Sequence, residues 1–305
     1  MSDLKLFRIE NGKAIELKGS ALALEKPLQV LIEHNMEVLF GVRLVASEHS
    51  TGKKHGGRID SLGLDENGSP VIFEYKRSVN ENVINQGLFY LDWLLDHRAE
   101  FELLVMKNLS VQTAEQIDWS GPRLICVASD FTRYDEHAIA QINRSIELVR
   151  YRDYDGAFLT LDLVASTSAI ATAAGADEAP KPTRRSSEKT VSQLHELAPE
   201  DLRTLYDGLE DYLLSLGDDV TKTTRQLYYA FRRIKNFACV EIHPQTRKLL
   251  VYLKTDPSSI TLEPGFTRDV TKIGHFGTGN LEVAIGNPAD LERAQPLIIA
   301  SYQAS

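Results

Sequence analysis

Residues 166–190 set the first limit on how this 305-residue chain can fold. The stretch holds no aromatic residue, a single large aliphatic (Ile170), two prolines and otherwise small or polar side chains. It cannot bury enough apolar area to offset the entropy lost in ordering it, so no hydrophobic core runs through it. A flexible linker is expected there, between a first domain at residues 1–165 and a second at residues 191–305. Each is long enough to enclose a core. No internal repeat of solenoid period is present.

Composition narrows the class. With 43% hydrophobic and 25% charged residues the chain reads as an ordinary globular protein. No apolar run approaches the roughly 20 residues that span a bilayer, and the N-terminus lacks the apolar core of a signal peptide. No membrane partner is expected. Cys126 and Cys239 lie far apart in apolar runs, with no CxxC pair. That argues against a disulfide framework or a zinc site and for a reducing, cytoplasmic location. Net charge is −9: residues 1–164 carry 18 Lys+Arg against 25 Asp+Glu, and residues 191–305 carry 12 against 15. Neither half is basic, so any contact with nucleic acid must come from local patches.

Apolar periodicity gives the order of elements. A helical stripe over residues 25–40, with Pro27 in its first turn, precedes strands at 42–47, 58–64 and 70–75. Asn67-Gly68 between the last two signals a hairpin. A helix at 81–96, a second around 101–109, a buried-type strand at 122–128, a helix at 135–144 and strands at 146–151 and 157–164 complete the domain. The class is α/β: a mixed sheet with helices against it, in the order αβββαβ plus additions. After the linker, helices at 199–216 and 221–234, strands at 239–243, 249–253 and 281–285 and a helix at 289–302 describe a small α+β domain.

Chemistry concentrates at the Asn67-Gly68 hairpin. Asp60 lies on its first strand, and Glu74 and Lys76 lie on its second. Alternation puts Glu74 and Lys76 on one face and Phe73 and Tyr75 on the other. Folding the chain at Asn67-Gly68 makes Asp60 and Glu74 approximate cross-strand neighbours. Two carboxylates and an ammonium then share one patch of an apolar sheet. Such a patch suits Mg2+ or Mn2+, with Asp60 and Glu74 as metal ligands and Lys76 placed to position a water or offset charge in phosphodiester hydrolysis. The same three residues also fit a solvated ion-pair face, worth about 0–1 kcal/mol.

The surrounding residues extend the pattern. Gly57-Arg58-Ile59-Asp60, the Asp65-Glu66-Asn67-Gly68 turn and Val71-Ile72-Phe73-Glu74-Tyr75-Lys76-Arg77 together resemble the active-site hairpin of PD-(D/E)XK nucleases. More narrowly, they are similar to the catalytic domain of NucS-type endonucleases, over roughly residues 20–130. The resemblance implies a restriction-endonuclease-like core and metal-dependent cleavage of DNA. It also implies a Gln and, one turn later, a Tyr on the helix after the Lys strand, places that Gln86 and Tyr90 fill. A leading-helix Glu also lines the site of that family; Glu25 matches it best by spacing to Asp60, with Glu33 and Glu37 as rivals. The separate N-terminal DNA-binding domain of NucS enzymes has no counterpart before residue 20, so mismatch specificity is not carried over. Residues 200–303 resemble an uncharacterised C-terminal domain from a group labelled "predicted transport protein", a label the absence of a spanning segment does not support.

Basic residues offer two approaches to a phosphate backbone. Lys53, Lys54 and Arg58 lead into the Asp60 strand and Arg77 leaves the Lys76 strand; Lys53 and Lys54 equally fit a solvated loop. In the second domain Lys222, Arg225, Tyr229 and Arg232 recur at helical spacing, a stripe that could follow a backbone and stack a base, or simply face solvent. Other motifs fail. The histidines form no HExxH, and Asp135-Glu136-His137 reads as a helix start. The 274–279 glycine run lacks the Lys-Ser/Thr ending of a phosphate loop and precedes a strand, so a turn is expected. No GxSxG elbow occurs. The expected function is a divalent-metal-dependent DNA endonuclease. A non-catalytic nucleic-acid-binding or adaptor protein, or a nuclease acting on RNA or branched DNA, are the alternatives. Cutting both strands often pairs two sites, which allows a homodimer.

Overall fold

The computed structural model describes residues 4–22, 25–76, 82–168 and 189–305, without the side chain of Lys54. The chain divides into two compact units, residues 1–169 and 170–305. Of the expected linker, residues 169–188 lie outside the described residues. At its ends, Ser166 and Thr167 belong to a strand of the first unit and Thr190 caps a helix of the second.

The first unit opens with a hairpin that the sequence reading omitted, β1 (Leu6–Glu10) and β2 (Lys13–Leu17), turned at Asn11-Gly12, both at positive φ. Helix α1 (Glu25–Phe40) buries Leu28, Ile32, Met36 and Phe40, one residue per turn, and bends at Asn35, whose side chain donates to the Leu31 carbonyl. Then come β3 (Val42–Ser50), the single-turn α2 (Gly52–His55), β4 (Arg58–Asp65) and β5 (Pro70–Lys76). Helices α3 (Val83–Asp96), α4 (Arg98–Asn108) and α5 (Val111–Ala114) follow, with β6 (Arg123–Ala128), α6 (Arg133–Ile139), β7 (Ser145–Tyr154) and β8 (Phe158–Thr167) after them.

One six-stranded sheet has the order β3-β4-β5-β6-β7-β8. β5, β6 and β7 run parallel and the flanking pairs antiparallel. The mixed αβββαβ core expected from the sequence is present as α1-β3-β4-β5-α3-β6. β6 is buried along its whole length, as its unbroken apolar run requires. On one face Phe40 of α1 meets Phe73 edge-on at 5.1 Å. On the other, α3 packs close over β6: a Cβ at Gly87 would fall 2.5 Å from Leu124 Cδ1. The helix expected over 135–144 stops at Ile139, where the chain tightens into three-residue turns closed by Gln141 N–H to Ala138 O and Ile142 N–H to Ile139 O. Asp135 forms a capping box with Thr132, consistent with its reading as a helix start.

The β4–β5 turn is held from within and from behind. Asp65 Oδ1 accepts the N–H groups of Asn67 (2.9 Å) and Ser69 (2.8 Å). Its Oδ2 accepts from Arg123 Nη1 at 2.8 Å, and Arg123 makes two further 2.9 Å bonds to Glu147. All three charged groups are buried. The two carboxylates outweigh desolvation and hold the guanidinium firmly charged. Behind the turn, the Asp118 N–H donates to Gly68 O at 2.8 Å, and a Cβ at Gly68 would meet Gln116 O at 2.9 Å.

The second unit comprises α7 (Val191–Glu196), α8 (Glu200–Ser215), β9 (Thr221–Thr224), β10 (Tyr229–Arg232), β11 (Asn236–His243), β12 (Lys248–Leu253), β13 (Thr267–Asp269), β14 (Leu281–Ile285) and α9 (Pro288–Gln303). Its six strands, in the order β13-β14-β12-β11-β10-β9, pair antiparallel throughout. Side chains of α8 and α9 close the core on one face.

The helix expected over 221–234 is not formed: those residues make β9, a turn and β10. Threonine-rich β9 favours extended backbone, and Tyr229 and Phe231 alternate into the core while Tyr228 and Ala230 face the other way. The basic stripe read from helical spacing therefore does not exist. Arg225, Tyr229 and Arg232 are each only 5% exposed, and Lys222 meets Glu210 at 2.5 Å over the rings of Tyr206 and Tyr229. Among the described residues no helix is long and apolar enough to cross a membrane.

Arg123→Met strands two buried carboxylates and is expected to lower the stability of the first unit by about 3–5 kcal/mol. An unfolding free energy from urea titration lowered by that amount is the check; a loss below about 1 kcal/mol, the scale of an exposed pair, contradicts the role assigned to the buried trio.

Candidate active site

The carboxylates meet at the C-terminal end of β5, where a parallel sheet commonly opens its ligand crevice. The pairs Ser61–Phe73 and Leu62–Ile72 carry the hairpin register on to Asp60 beside Glu74. There Glu74 Oε1 accepts the Asp60 N–H (3.4 Å) and Asp60 Oδ2 accepts the Tyr75 N–H (3.0 Å). The opposite face carries Tyr75 and Ser61, whose hydroxyls lie 3.2 Å apart. Alternation thus separates an acidic face from a hydroxyl face on the same two strands.

Glu74 is fully buried, and among the described residues its Oε2 has no hydrogen-bond partner. Burial first and the nearby Asp60 charge second push its carboxyl up to about 9 from an ordinary 4.5. Asp60 is raised as well, by burial against the opposing pull of the Tyr75 N–H and Lys76. Lys76, at the end of β5, lies 3.8 Å from Glu25 Oε2 in the first turn of α1. Of the three leading-helix glutamates, Glu25 is the one that reaches this lysine. Glu33 instead accepts from Ser61 Oγ (2.6 Å) and Gln29 Nε2 (2.9 Å), and Glu37 is exposed.

Gln86 and Tyr90 sit one turn apart on α3, with Gln86 Nε2 3.4 Å from Tyr90 Oη. The Tyr90 hydroxyl accepts the Arg58 N–H at 3.1 Å, which fixes the start of β4 two residues before Asp60. Its ring lies so close that a Cβ at Gly57 would fall 2.6 Å from it. Tyr90 therefore positions the strand. Lys53 and Arg58 are exposed on the approach, and Arg58 pairs with Glu48 at 2.5 Å. Arg77 and the Lys54 side chain lie outside the described residues.

Glu48 is the residue the sequence reading missed. Pairs Ser47–Ser61 and His49–Ile59 bracket Glu48 and Asp60, so Glu48, Asp60 and Glu74 form one row across β3, β4 and β5. Glu48 takes a φ of +54°, unusual for a side chain with Cβ, and its carboxylate meets both Lys26 and Arg58 at 2.5 Å. The Lys26 ammonium holds it below the usual range despite partial burial. The one signal available was its place at the end of a strand antiparallel to the Asp60 strand.

Among the described residues no three His, Cys, Asp or Glu side chains gather to hold a metal ion. The unpartnered Glu74 oxygen beside Asp60 does fit a cation that takes one or two carboxylates and completes its shell with water or phosphate, the habit of Mg2+. Cys126, paired with Glu74 across β5–β6, is buried, and burial pushes its thiol far up, away from the reactive thiolate.

Residues 191–305 match a family model described as a domain of unknown function, DUF5655. Over 301 residues, 97% of this chain and 98% of the relative, the sequence is 29% identical to an uncharacterized protein of Haemophilus influenzae. Among solved structures, a repair endonuclease from Pyrococcus abyssi aligns at 21% identity with a TM-score of 0.30, covering 42% of this chain and 47% of that one. An EndoMS-dsDNA2 complex aligns at 22% identity with a TM-score of 0.31, covering 47% and 49%. The chain spans about half the length of these two solved structures.

The raised Glu74 carboxyl has a thermodynamic consequence. Between about 4.5 and about 9 the unfolded chain has released a proton that native Glu74 keeps, so the native state loses stability as pH rises, by up to about 1.4 kcal/mol per pH unit. Glu74→Gln stays neutral and lacks this slope. In chelator-treated buffer its melting temperature should gain on the wild type steadily from pH 5 to pH 9. A gap that stays constant over that range contradicts a buried, proton-retaining Glu74.

Proposed function

We propose that the first unit is a divalent-metal-dependent nuclease that hydrolyses phosphodiester bonds in DNA. The observation that carries the reading is Glu74: a wholly buried carboxyl, one oxygen of which has no partner among the described residues, beside Asp60, on the face and at the strand end where Lys76 emerges. A solvated ion-pair face would leave its acid exposed. An acid buried in this way is costly unless a cation or a proton neutralises it. The residues that resemble a PD-(D/E)XK hairpin are the same ones.

Asp60 and Glu74 would hold Mg2+ or Mn2+, which when bound supplies positive charge against a phosphate and acidifies water. Lys76 offsets negative charge that develops on the phosphate in the transition state, and Glu25 limits where its ammonium rests. Tyr90 fixes the β4 backbone at Arg58, and so the aim of Asp60; Gln86 leans on the same hydroxyl and orients the site from α3. Arg58 and Lys53 meet phosphates flanking the scissile one. Glu48 keeps Arg58 and Lys26 in place at the edge.

Labelled single-stranded, double-stranded, flapped and mismatched DNA, with RNA alongside, should be incubated with Mg2+, Mn2+ or EDTA. Cleavage is expected with metal only, and Lys76→Ala should reduce it on the order of 100-fold or more with the fold retained. Cleavage in EDTA, or at the wild-type rate in Lys76→Ala, overturns the assignment. Metal-independent binding without cleavage selects the adaptor alternative, and preferential cutting of RNA replaces the substrate. Separately, Mg2+ should raise the melting temperature of the wild type at pH 8 and leave Asp60→Asn unmoved.

A further inference from the structure

Gln29 is only 4% exposed, on a helix whose other buried residues are all apolar. A buried amide has to be matched at both ends, and this one is. Its Oε1 accepts from Lys26 Nζ (3.1 Å). Its Nε2 donates to Glu33 Oε1 (2.9 Å) and to the backbone carbonyl of Asp60 (2.9 Å), with Ser47 Oγ at 3.4 Å. An ammonium can only donate, and a carboxylate and a carbonyl can only accept, so the partners themselves fix which end of the amide is which. Lys26, Gln29 and Glu33 are spaced three and four residues apart, which puts them on one side of α1.

The bond to the Asp60 carbonyl falls where the regular strand pairing is interrupted. Paired residues on β3 and β4 run from Ser47–Ser61 to His49–Ile59, and those on β4 and β5 end at Ser61–Phe73, so Asp60 stands outside both sets. Glu48, opposite it, turns aside at a φ of +54°. The backbone of Asp60 goes to side chains: its N–H to Glu74 Oε1 (3.4 Å) and its carbonyl to Gln29. The next residue is held from the same helix, since Ser61 Oγ donates to Glu33 Oε1 (2.6 Å). Helix α1 thus grips β4 at two successive residues without engaging the Asp60 carboxylate, which accepts the Tyr75 N–H. A ligand side chain is aimed by the groups that hold its own residue in place.

We propose that Gln29 is a positioning residue of the candidate metal centre: it holds the Asp60 backbone where strand pairing does not, and so sets where the Asp60 carboxylate lies against Glu74. The inference rests on the reading of Asp60 and Glu74 as Mg2+ or Mn2+ ligands, and adds to it a residue that acts on the ion only through Asp60. Through Oε1 the same amide steadies Lys26, whose ammonium meets Glu48 at 2.5 Å, so the outer acid of the row is set from the same point.

Calorimetric titration of the full chain with Mn2+ at pH 8 tests this, with Asp60→Asn as the reference for metal bound elsewhere. A saturable event is expected in the wild type and not in Asp60→Asn. Gln29→Met keeps the length of the side chain and removes the amide; Gln29→Glu cannot donate to the carbonyl. In both, the affinity of that event should fall about 10-fold or more, while Glu33→Gln, which keeps an acceptor for Gln29, should stay within about twofold of the wild type. Circular dichroism melts in EDTA confirm that each variant is folded and register any general loosening separately from metal affinity. The proposal is overturned if the folded Gln29 variants bind Mn2+ as the wild type does, or if Glu33→Gln loses as much, which assigns the effect to the packing of α1. A wild type without Asp60-dependent Mn2+ binding overturns the metal reading itself, and this inference with it.

Discussion

Asp65 gives one oxygen to the backbone of the β4–β5 turn and the other to Arg123, and Arg123 reaches across to Glu147 on β7. A turn closed on its own carboxylate admits one pairing of the strands that leave it. A one-residue slip would carry every side chain to the opposite face and send Asp60 and Glu74 to different sides of the sheet. The same arginine ties the antiparallel hairpin to the parallel half, so β5 ends at a fixed height against β6. The acidic group of the site is thus aligned by a second, fully paired ionic group at the other end of the same strands. One is neutralised within the protein; the other is left short of positive charge.

That contrast explains how the fold tolerates a buried acid. Around Asp65 the desolvation of two carboxylates is offset by five charge-assisted bonds, two of them from turn N–H groups. Around Glu74 the Asp60 N–H gives one long bond, and the other oxygen has no partner among the described residues. Lys76 stands at the strand end, engaged with Glu25. The row Glu48–Asp60–Glu74 grades inward: the outer acid is ionised by lysine and arginine, the inner one held protonated by burial. An arrangement of this kind stores a demand for positive charge at one point of the sheet.

Much of this was legible in the sequence because it is local. Asn67-Gly68 between two alternating strands fixes a turn, a register and hence a cross-strand neighbour, and the apolar stripe of residues 25–40 matches α1 at both ends. The failures are tertiary. In residues 221–234, Leu227, Phe231 and Ile234 satisfy a helical repeat while Tyr229 and Phe231 satisfy a strand; pairing of β10 with β11 on one side and β9 on the other decides between them. Glu48 comes opposite Asp60 only through a register shift between Leu44 and Ala46, which no periodicity announces. Glu25, Glu33 and Glu37 share a helix, and what separates them is where α1 crosses the sheet.

The clamp behind Gly68 also bears on where this chain can be lengthened. Hairpin tips are usually the places where an inserted peptide or a new terminus is tolerated. This one is not free: Gln116 O lies 2.9 Å from where a side chain at Gly68 would begin, and the Asp118 N–H is bonded to its carbonyl. At Gly12 and Gly156 an added Cβ meets nothing within 4 Å. A tag, a reporter or a circular permutation belongs at those two turns, and a library built for new specificity should leave the 65–69 turn intact.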